Sequence, residues 1–404
     1  MNDLRLFLFD DRHARRWAPF TLTRPVGELL CGCFTARERA ERVFGVACQG
    51  HLTRRALVGF DEPGAAPGIA TEVVGEAGTR ILLSSRAVPA LTEVEMPSGS
   101  ARILVAGQPV GWILEEGAPL PSESWLRDPA GAPAEGPDIT LEGVILSRPW
   151  DLVARNPEQI TQDVAALSGA SQTPPGVTLI GDGGVFMDEG AEIEPGTYVD
   201  TRTGPVQLGP GVKVEGPARL TGPLFVGAGS IIYGGHVGSS SIGPVCRLRG
   251  EVSESVLLGY VNKAHDGYLG HALLGRWMNL GAMTTNSDLK NNYSSVKVWT
   301  PDGEMDSGLA KVGCFLGDHV KTGIGTVLNT GSVVGAGSNL FGGIMPPTVV
   351  PPFSWGSGAD LRDHRLEKFM ETAERAMNRR SQVFTPGVRR ILEDAWAATA
   401  GRRE

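Results

Sequence analysis

Polar side chains suited to acid–base chemistry are concentrated in residues 262–293. His265 and Tyr268 stand three residues apart, and a tract rich in Asn and Lys follows over residues 286–292. A neutral imidazole is a suitable general base at pH 7, because its unperturbed pKa is about 6.5. Acyl transfer to an amine needs such a base, donors for the thioester oxygen and close positioning of both substrates. The stretch therefore predicts an acyl-transfer site with His265 as its base.

A six-residue repeat surrounds this stretch and predicts the scaffold that positions it. The repeating apolar residues are Leu208, Val214, Leu220, Val226 and Ile232. A period of six is typical of a β-helix, in which each hexapeptide supplies one short strand and one turn. The pattern resumes at later apolar-glycine steps, among them Leu269-Gly270, Leu274-Gly275 and Leu280-Gly281. The breaks in phase predict loops that leave the coil, chiefly over residues 283–311.

Residues 1–165 are predicted to form an α/β domain. Three apolar runs predict buried strands, at residues 4–9, 80–83 and 103–105. A helix is expected over residues 35–43, with Thr35 as N-cap and Glu38 completing a capping box. Residues 117–137 are rich in Gly, Pro and Ala and predict a loop.

The remaining boundaries follow from changes in composition. We expect a linker at residues 166–180, the β-helix at 181–350 and a helical tail at 351–404. In the tail, apolar residues recur at helical spacing from Leu366 to Met377, and Thr385-Pro386 has the pattern of a second helix start. Both helices are expected to cap the open end of the coil.

Bulk composition narrows the classes of partner. The chain has 404 residues and a net charge of −8, which disfavours nucleic acid but leaves room for an anionic small molecule at a local basic cluster. The five cysteines lack zinc-ligand spacing and are predicted to be free thiols. The first apolar run is too short for a signal peptide or a membrane span. We expect a cytoplasmic protein without a membrane partner.

With these motifs in view, the chain resembles the bifunctional glucosamine-1-phosphate N-acetyltransferase / N-acetylglucosamine-1-phosphate uridylyltransferase family, in its sugar nucleotidyltransferase branch. Three segments carry the resemblance: residues 242–250 with Arg249, the H-x-x-Y pair His265 and Tyr268, and Asn279-Leu280-Gly281-Ala282. The resemblance implies a left-handed parallel β-helix, a homotrimer, acetyl-CoA and a sugar 1-phosphate, as in UDP-N-acetylglucosamine biosynthesis.

The resemblance also implies roles for individual residues. His265 is the expected base, Arg249 and Tyr268 are expected to contact the sugar phosphate, and Asn279, Asn286 and Lys290 are expected to bind substrate. Two departures leave the acyl donor and the sugar open. Ser253 and Glu254 stand near the place of a lysine that the family has, and Ile324 stands where a serine is expected to contact CoA.

The N-terminal half departs further from the family, which opens with a Gly-rich loop that holds nucleotide phosphates. Here the first strand runs into FDDRHARRWAPFTLTRPVGEL, with no glycine before Gly27. A nucleoside triphosphate would have to bind side chains, and the candidates are Arg12, Arg15 and Arg24. Asp10 or Asp11 is a candidate ligand for Mg²⁺. A purely structural domain is the open alternative.

Two other functions remain open at this point. The first is a β-helix hydratase with zinc held by histidines, for which His265, His271 and His236 would be the ligands. The second is a scaffold that binds a sugar nucleotide without catalysis.

Overall fold

The computed structural model describes residues 4–134, 136–167 and 169–401. A sheet domain comes first, a long three-sided coil follows, and two helices end the chain. None of the helices in these ranges has the length and apolar character needed to cross a membrane. All five cysteines are free, as predicted.

The N-terminal domain is built on a seven-stranded mixed sheet. In spatial order its strands are Asp138–Leu141, Ala101–Val105, Gln108–Leu114, Thr79–Ser84, Leu4–Phe9, Cys48–Leu52 and Gly68–Ile69. Leu4–Phe9, which we call the central strand, is the fifth strand in this order and is parallel to both of its neighbours. The three predicted strands are therefore confirmed. Two small antiparallel pairs complete the domain, Leu30–Cys31 with Phe34–Thr35 and Ala87–Pro89 with Gly143–Ile145.

Four α-helices belong to this half: α1 (Ala36–Phe44), α2 (Glu123–Arg127), α3 (Asp151–Ala154) and α4 (Asn156–Ala166). The capping box of α1 is confirmed, because the Thr35 hydroxyl accepts from the Glu38 N–H and the Glu38 carboxylate accepts from the Thr35 N–H. Gly45 ends this helix with φ of 66°, a conformation that favours glycine. The expectation of a loop over residues 117–137 is wrong, since α2 forms there with Ser122 as its N-cap.

Short 3₁₀ helices fill several connections. They lie at Ala14–Arg16, Phe20–Leu22, Val26–Glu28, Arg55–Leu57, Thr71–Val73 and Pro129–Gly131. Three of them follow the central strand directly. They therefore occupy the place where a Gly-rich loop is expected from the family that the chain resembles.

The second half is a parallel β-helix with three sheets, which confirms the predicted fold class. Sheet 1 contains Thr178–Ile180, Tyr198–Asp200, Ala218–Thr221, Gly235–Gly238, Glu251–Ser253 and Tyr268–Gly270. Sheet 2 contains Val185–Met187, Val206–Leu208, Leu224–Val226, Ser241–Ile242, Val256–Leu257, Leu273–Leu274, Phe315–Leu316, Val333–Val334 and Val349–Val350. Sheet 3 contains Glu192–Ile193, Lys213–Val214, Ile231–Ile232, Arg247–Leu248, Asn262–Lys263, Asn279–Leu280, Lys321–Thr322, Asn339–Leu340, Ser354–Ser357 and Asp360–Asp363.

The hexapeptide residues form the interior of this coil. Leu208, Leu220, Val226 and Ile232 are fully buried and Val214 is nearly so. Each such side chain stabilises the fold by about 1.5–3 kcal/mol through removal of apolar surface from water. The left-handed winding remains the expectation taken from the resemblance.

A hairpin leaves the coil where the sequence predicts a loop. Its strands are Lys297–Thr300 and Gly303–Asp306, paired antiparallel. Before it, Thr285–Asn286 pairs with Val327–Leu328. The hairpin reaches the N-terminal domain, because Val298 packs in one cluster with Trp17 and Arg16 donates to Asp302 at 2.7 Å.

The tail forms α5 (Leu366–Asn378) and α6 (Pro386–Ala398), and Thr385 is the N-cap of α6 as predicted. The expected position of these helices is wrong. They pack against Trp277 and Tyr260 on the side of the coil, and Ile391 packs against Leu57 of the N-terminal domain. The helices therefore lie between the N-terminal domain and the β-helix and pack against apolar side chains of each.

Candidate functional site

One corner of the β-helix, which we call the site corner, contains the turns that leave sheet 3 either for sheet 1 or for the paired strands Thr285–Asn286 and Val327–Leu328. Its turns include residues 249–250, 264–267, 281–284 and 323–326. Arg249 and His265 lie on successive turns, because their strands pair in register. The Arg249 Nε lies 3.2 Å from the Asp266 carboxylate, so the structure brings the predicted arginine beside the residue that follows the predicted base.

The loop that carries His265 is held from inside the coil. Lys263 is buried, and its Nζ donates to the backbone carbonyls of Arg249 at 2.6 Å, His265 at 3.1 Å and Gly267 at 2.8 Å. Burial lowers the pKa of Lys263 to about 8. The His265 side chain is exposed and none of the described residues forms a hydrogen bond with its ring. Its backbone is fixed while its imidazole is free to meet a substrate.

Tyr268 points away from the site corner. Its side chain lies over Gly270 of the same strand, where any Cβ would overlap the phenol oxygen. Its hydroxyl donates to the Asp288 carboxylate at 2.7 Å. Burial and this hydrogen bond raise the pKa of Tyr268. The glycine of the repeat therefore provides the space in which the tyrosine lies.

His271 is the second histidine of this region, and its ring is fully engaged. Its Nδ1 lies 2.7 Å from Asp288 and its Nε2 lies 2.7 Å from Glu254. Burial opposes protonation, but the two carboxylates outweigh it and raise the pKa of His271 to about 9. A protonated imidazole with both N–H groups donated is not a base at neutral pH. His271 and Glu254 also border a cavity of about 320 Å³ beside α3.

The three remaining predicted substrate ligands lie apart from one another. Asn286 is buried, and its side chain exchanges hydrogen bonds of 2.9 Å with the backbone of Gly270. Asn279 is exposed on sheet 3, where its side-chain Oδ1 accepts a hydrogen bond from the Asn262 Nδ2 at 2.8 Å. Lys290 donates to the Ser295 carbonyl at 2.6 Å, beside an open cleft of about 450 Å³. This placement gives Asn286 a structural role and leaves no amide atom for a substrate.

Apolar side chains continue along the site corner. Ile324 is 75% exposed and Met283 is 56% exposed, and Ile344 and Met345 are also exposed further along the coil. The turns of Met283 and Ile324 are adjacent, since the N–H of Gly325 donates to the carbonyl of Ala282. A run of exposed apolar residues next to an active corner is typical of an interaction surface.

The N-terminal domain gathers charged residues at the carboxyl end of its central strand. Asp10 is buried and accepts from Thr53 at 2.5 Å and Ser85 at 2.6 Å. Burial raises the pKa of Asp10. Asp11 accepts from Arg86 at 2.7 Å and from the N–H groups of residues 13 and 14. Both aspartates thus organise the edge where ligands bind in open α/β sheets.

Two arginines at this edge lack a carboxylate partner within the described ranges. Arg15 donates only to the Asp10 carbonyl, at 2.8 Å, and Arg54 donates only to the Thr21 carbonyl, at 3.0 Å. Burial lowers the pKa of both, and Arg15 lowers the pKa of Arg54 further. Adjacent, partly buried guanidiniums are groups that favour an anion. Arg12 is more exposed and pairs with Asp128 at 2.9 Å.

Arg54 was missed by the sequence reasoning, although it follows the strand Cys48–Leu52 in the way that Asp10 follows the central strand. The signal that could have found Arg54 was its position just after the carboxyl end of a parallel strand, where ligands bind in such sheets. Asp288 was missed as the partner of Tyr268, and Glu254 as a partner of His271, because these contacts depend on the register between coils.

Arg24 corrects an expectation. It is 2% exposed, and its guanidinium lies 2.9 Å from Asp318 and 3.0 Å from Glu62. Burial would lower its pKa, but the two carboxylates raise it instead. A guanidinium neutralised on both sides inside the protein is not available to a nucleotide phosphate. Arg24 therefore joins the two halves of the chain.

No group of three His, Cys, Asp or Glu side chains gathers as a metal site anywhere in residues 4–134, 136–167 and 169–401. His271 cannot serve the zinc alternative, because both ring nitrogens face carboxylates. Mg²⁺ is commonly bound by one or two carboxylates together with substrate phosphates. Asp10 and Asp11 do not fit that mode, because both are buried and their carboxylates are already paired, Asp10 with Thr53 and Ser85 and Asp11 with Arg86.

Comparison with known proteins adds independent information on the N-terminal half. Residues 6–172 match a family model described as sugar nucleotidyl transferase. A bifunctional sugar-1-phosphate nucleotidylyltransferase/acetyltransferase of Sulfurisphaera tokodaii is 31% identical over 161 residues, which cover 40% of this chain and 36% of that protein. The bifunctional protein GlmU of Methanococcus maripaludis is 26% identical over 193 residues, 48% of this chain and 42% of that protein.

A GlmU of Synechococcus elongatus is 30% identical over 177 residues, 38% of this chain and 35% of that protein. The chain thus spans about a third to two fifths of the length of these relatives. A solved UDP-N-acetylglucosamine acyltransferase of Arabidopsis is 14% identical, with a TM-score of 0.20, over 57% of this chain and 96% of that chain. The family match and the curated relatives confirm that this chain resembles the bifunctional sugar-phosphate nucleotidyltransferase/acetyltransferase family.

Proposed function

We propose that the β-helix half transfers an acetyl group from acetyl-CoA to the amine of a hexosamine 1-phosphate, a step of UDP-N-acetylglucosamine synthesis. The observation that carries this proposal is the geometry of the site corner. An exposed His265 with a free ring stands beside the Arg249–Asp266 pair, whose closest atoms are 3.2 Å apart. The bifunctional relatives support the same assignment.

The proposed chemistry uses each of these groups once. His265 takes a proton from the ammonium, and the amine nitrogen then attacks the thioester carbonyl. An amide bond forms, the carbon–sulfur bond breaks, and CoA leaves as a thiol with the proton returned by His265. The second proton that the nitrogen loses on becoming an amide passes to solvent. Arg249 holds the phosphate. Its present ion pair with Asp266 is exposed, and such pairs are worth only about 0–1 kcal/mol, so a phosphate can replace Asp266 at little cost.

We propose that the exposed apolar residues of the site corner face a second subunit of a homotrimer. Met283, Ile324 and Ile344 offer a surface that continues directly from the reacting groups. Burial of such side chains at a subunit contact is favourable. Acetyl-CoA would then bind between subunits, and a serine would not be needed at the position of Ile324.

The N-terminal half is proposed to transfer a nucleotidyl group to the sugar 1-phosphate. Arg15 and Arg54 supply the positive charge for the triphosphate, in place of a Gly-rich loop. Mg²⁺ would then be carried by the triphosphate oxygens. The cytoplasm is the proposed location, because both halves would use acetyl-CoA and nucleoside triphosphates there.

The test is an assay of purified protein with acetyl-CoA and a panel of hexosamine 1-phosphates, read as released CoA thiol and as the acetylated product by mass spectrometry. A second panel replaces acetyl-CoA by nucleoside triphosphates with Mg²⁺ and follows pyrophosphate. Product in the first panel supports the proposed acetyl transfer, and product in the second supports the proposed nucleotidyl transfer. Binding of a sugar nucleotide with no turnover in either panel would favour the scaffold alternative.

A further inference from the structure

The hydrogen of the Tyr268 hydroxyl is committed inside the protein. It is donated to the Asp288 Oδ2 at 2.7 Å, and Ser253 is the neighbour that hydrogen bonds to the phenol oxygen. A tyrosine has a single O–H donor. Whatever else meets this oxygen from the solvent side must therefore donate a hydrogen bond to it.

Asp288 is held as an anion, which keeps this arrangement fixed. Its Oδ2 also accepts from the His271 Nδ1 at 2.7 Å, and the His271 Nε2 lies 2.7 Å from Glu254. The hydrogen bond from His271 lowers the pKa of Asp288. Charge-assisted hydrogen bonds of this length are about twice as strong as neutral ones. A phenol hydrogen is not readily released from such an acceptor.

A phosphate group carries only acceptors and negative charge near neutral pH. Around Tyr268 it would meet an oxygen with no hydrogen to give and the carboxylates of Asp288 and Glu251. Lys311 is the cation besides His271 that acts on Asp288. The Asp288 Oδ1 has no hydrogen-bond partner among the described residues, so it too offers an acceptor. This surface suits an ammonium or a hydroxyl, which can donate to the phenol oxygen and to Asp288.

We propose that Asp288 fixes Tyr268 as a hydrogen-bond acceptor, so that this pair reads a ring hydroxyl of the acyl acceptor and not its phosphate. The ammonium must lie at His265, which takes its proton in the proposed reaction. The inference rests on the proposed acetyl transfer and reassigns the role that the resemblance implies for Tyr268. Asp288 is then a positioning residue for Tyr268. His271 and Glu254 support Asp288 from behind.

The test compares two probes, glucosamine 1-phosphate and inorganic phosphate, by calorimetric titration of the first and its displacement by the second. Tyr268→Phe and Asp288→Asn are expected to lower the affinity for glucosamine 1-phosphate about 5- to 10-fold, which corresponds to the loss of one hydrogen bond. Both variants should leave the affinity for inorganic phosphate within two-fold. Arg249→Ala should lower the affinity for both probes. Tyr198→Phe, which alters an exposed tyrosine further along sheet 1, is the matched control and should change neither.

A spectroscopic readout separates positioning from general damage. The C2 proton of His271 should titrate in wild type at about pH 9, and in Asp288→Asn its pKa should fall toward the unperturbed value while Tyr268→Phe changes it little. If Tyr268→Phe weakens inorganic phosphate as much as Arg249→Ala does, the inference is overturned and the proposed function stands. If wild type binds neither probe and transfers no acetyl group, the proposed function fails and the inference falls with it.

Discussion

The guanidinium of Arg24, in the N-terminal domain, lies 2.9 Å from the carboxylate of Asp318, in the β-helix. Glu62 lies on the other side of the guanidinium at 3.0 Å and also accepts from the Trp277 indole at 2.6 Å. These side chains are buried. The network joins the two halves through buried charges, and it explains why an arginine at this position need not serve a substrate.

Removal of Arg24 should therefore damage the fold and not only a site. Arg24→Ala leaves two buried carboxylates without their cation, which costs about 3–5 kcal/mol of unfolding free energy. Urea unfolding followed by tryptophan fluorescence measures the loss. Arg12→Ala is the matched control, since Arg12 is exposed and its ion pair with Asp128 is worth about 1 kcal/mol or less. A loss below about 1 kcal/mol for Arg24→Ala would contradict this assignment.

The His271 network predicts a pH dependence of stability. The pKa of His271 is raised to about 9 in the folded protein, so the folded state holds a proton that the unfolded state releases above about pH 6.5. This contribution is complete below pH 6.5 and is lost as the pH rises through about 9. Its size is on the order of 2 kcal/mol.

Buried lysines act in the opposite direction over part of this range, because burial lowers the pKa of Lys321 to about 7. The measurement is therefore the difference in unfolding free energy between wild type and His271→Gln, taken at pH 6.5 and at pH 9.5. Between pH 6.5 and pH 9.5 this difference in unfolding free energy should shrink by most of the contribution of His271, on the order of 2 kcal/mol. An equal difference at both would show that His271 is not held protonated by Asp288 and Glu254.

The apolar part of the site corner predicts the effect of a charge on assembly. Ile324→Asp should convert the proposed homotrimer to monomers at micromolar concentration, because a carboxylate would have to be buried without a partner at the subunit contact. Light scattering after size exclusion measures the mass. Val73→Asp is the control, an equally exposed apolar residue on the N-terminal domain. A wild type that is monomeric, or an Ile324→Asp variant that is still trimeric, would contradict this assignment of the surface.

The pair Arg15 and Arg54 predicts where a nucleotide binds. Arg54→Ala should weaken binding of a nucleoside triphosphate with Mg²⁺ by about 10- to 100-fold, the value of one charge-assisted contact. Acetyl transfer should be unchanged, because that site lies in the other half. Calorimetric titration of UTP measures the effect, with Arg389→Ala on α6 as the control. Equal affinity in Arg54→Ala and wild type would place the nucleotide elsewhere.

The sequence was informative wherever a local period or motif decides the structure. The six-residue spacing from Leu208 to Ile232 predicted the coil, and Thr35 with Glu38 predicted the start of α1. Contacts between distant segments were out of reach. Nothing in the local sequence around Arg24 indicates that Asp318 will neutralise it.

The same limit applied inside the candidate site. His265 and Arg249 lie on adjacent turns because the repeat length sets their register, so spacing alone brought them together. The contact between Tyr268 and the sugar phosphate was implied by the resemblance, through the H-x-x-Y pair. Its side chain instead crosses Gly270 to meet Asp288, twenty residues on in the chain, a direction that depends on the space above a glycine.

The most direct test of the account is acetyl transfer by His265→Ala compared with wild type and with His236→Ala, a histidine on the outer face of sheet 1. Initial rates of CoA release are measured with acetyl-CoA and glucosamine 1-phosphate, together with the far-ultraviolet circular dichroism and the mass of each protein. We predict that His265→Ala lowers kcat by about 100-fold or more, as loss of a general base does, with the fold and the oligomer unchanged. His236→Ala should match wild type. Activity of His265→Ala within a few-fold of wild type would contradict the account.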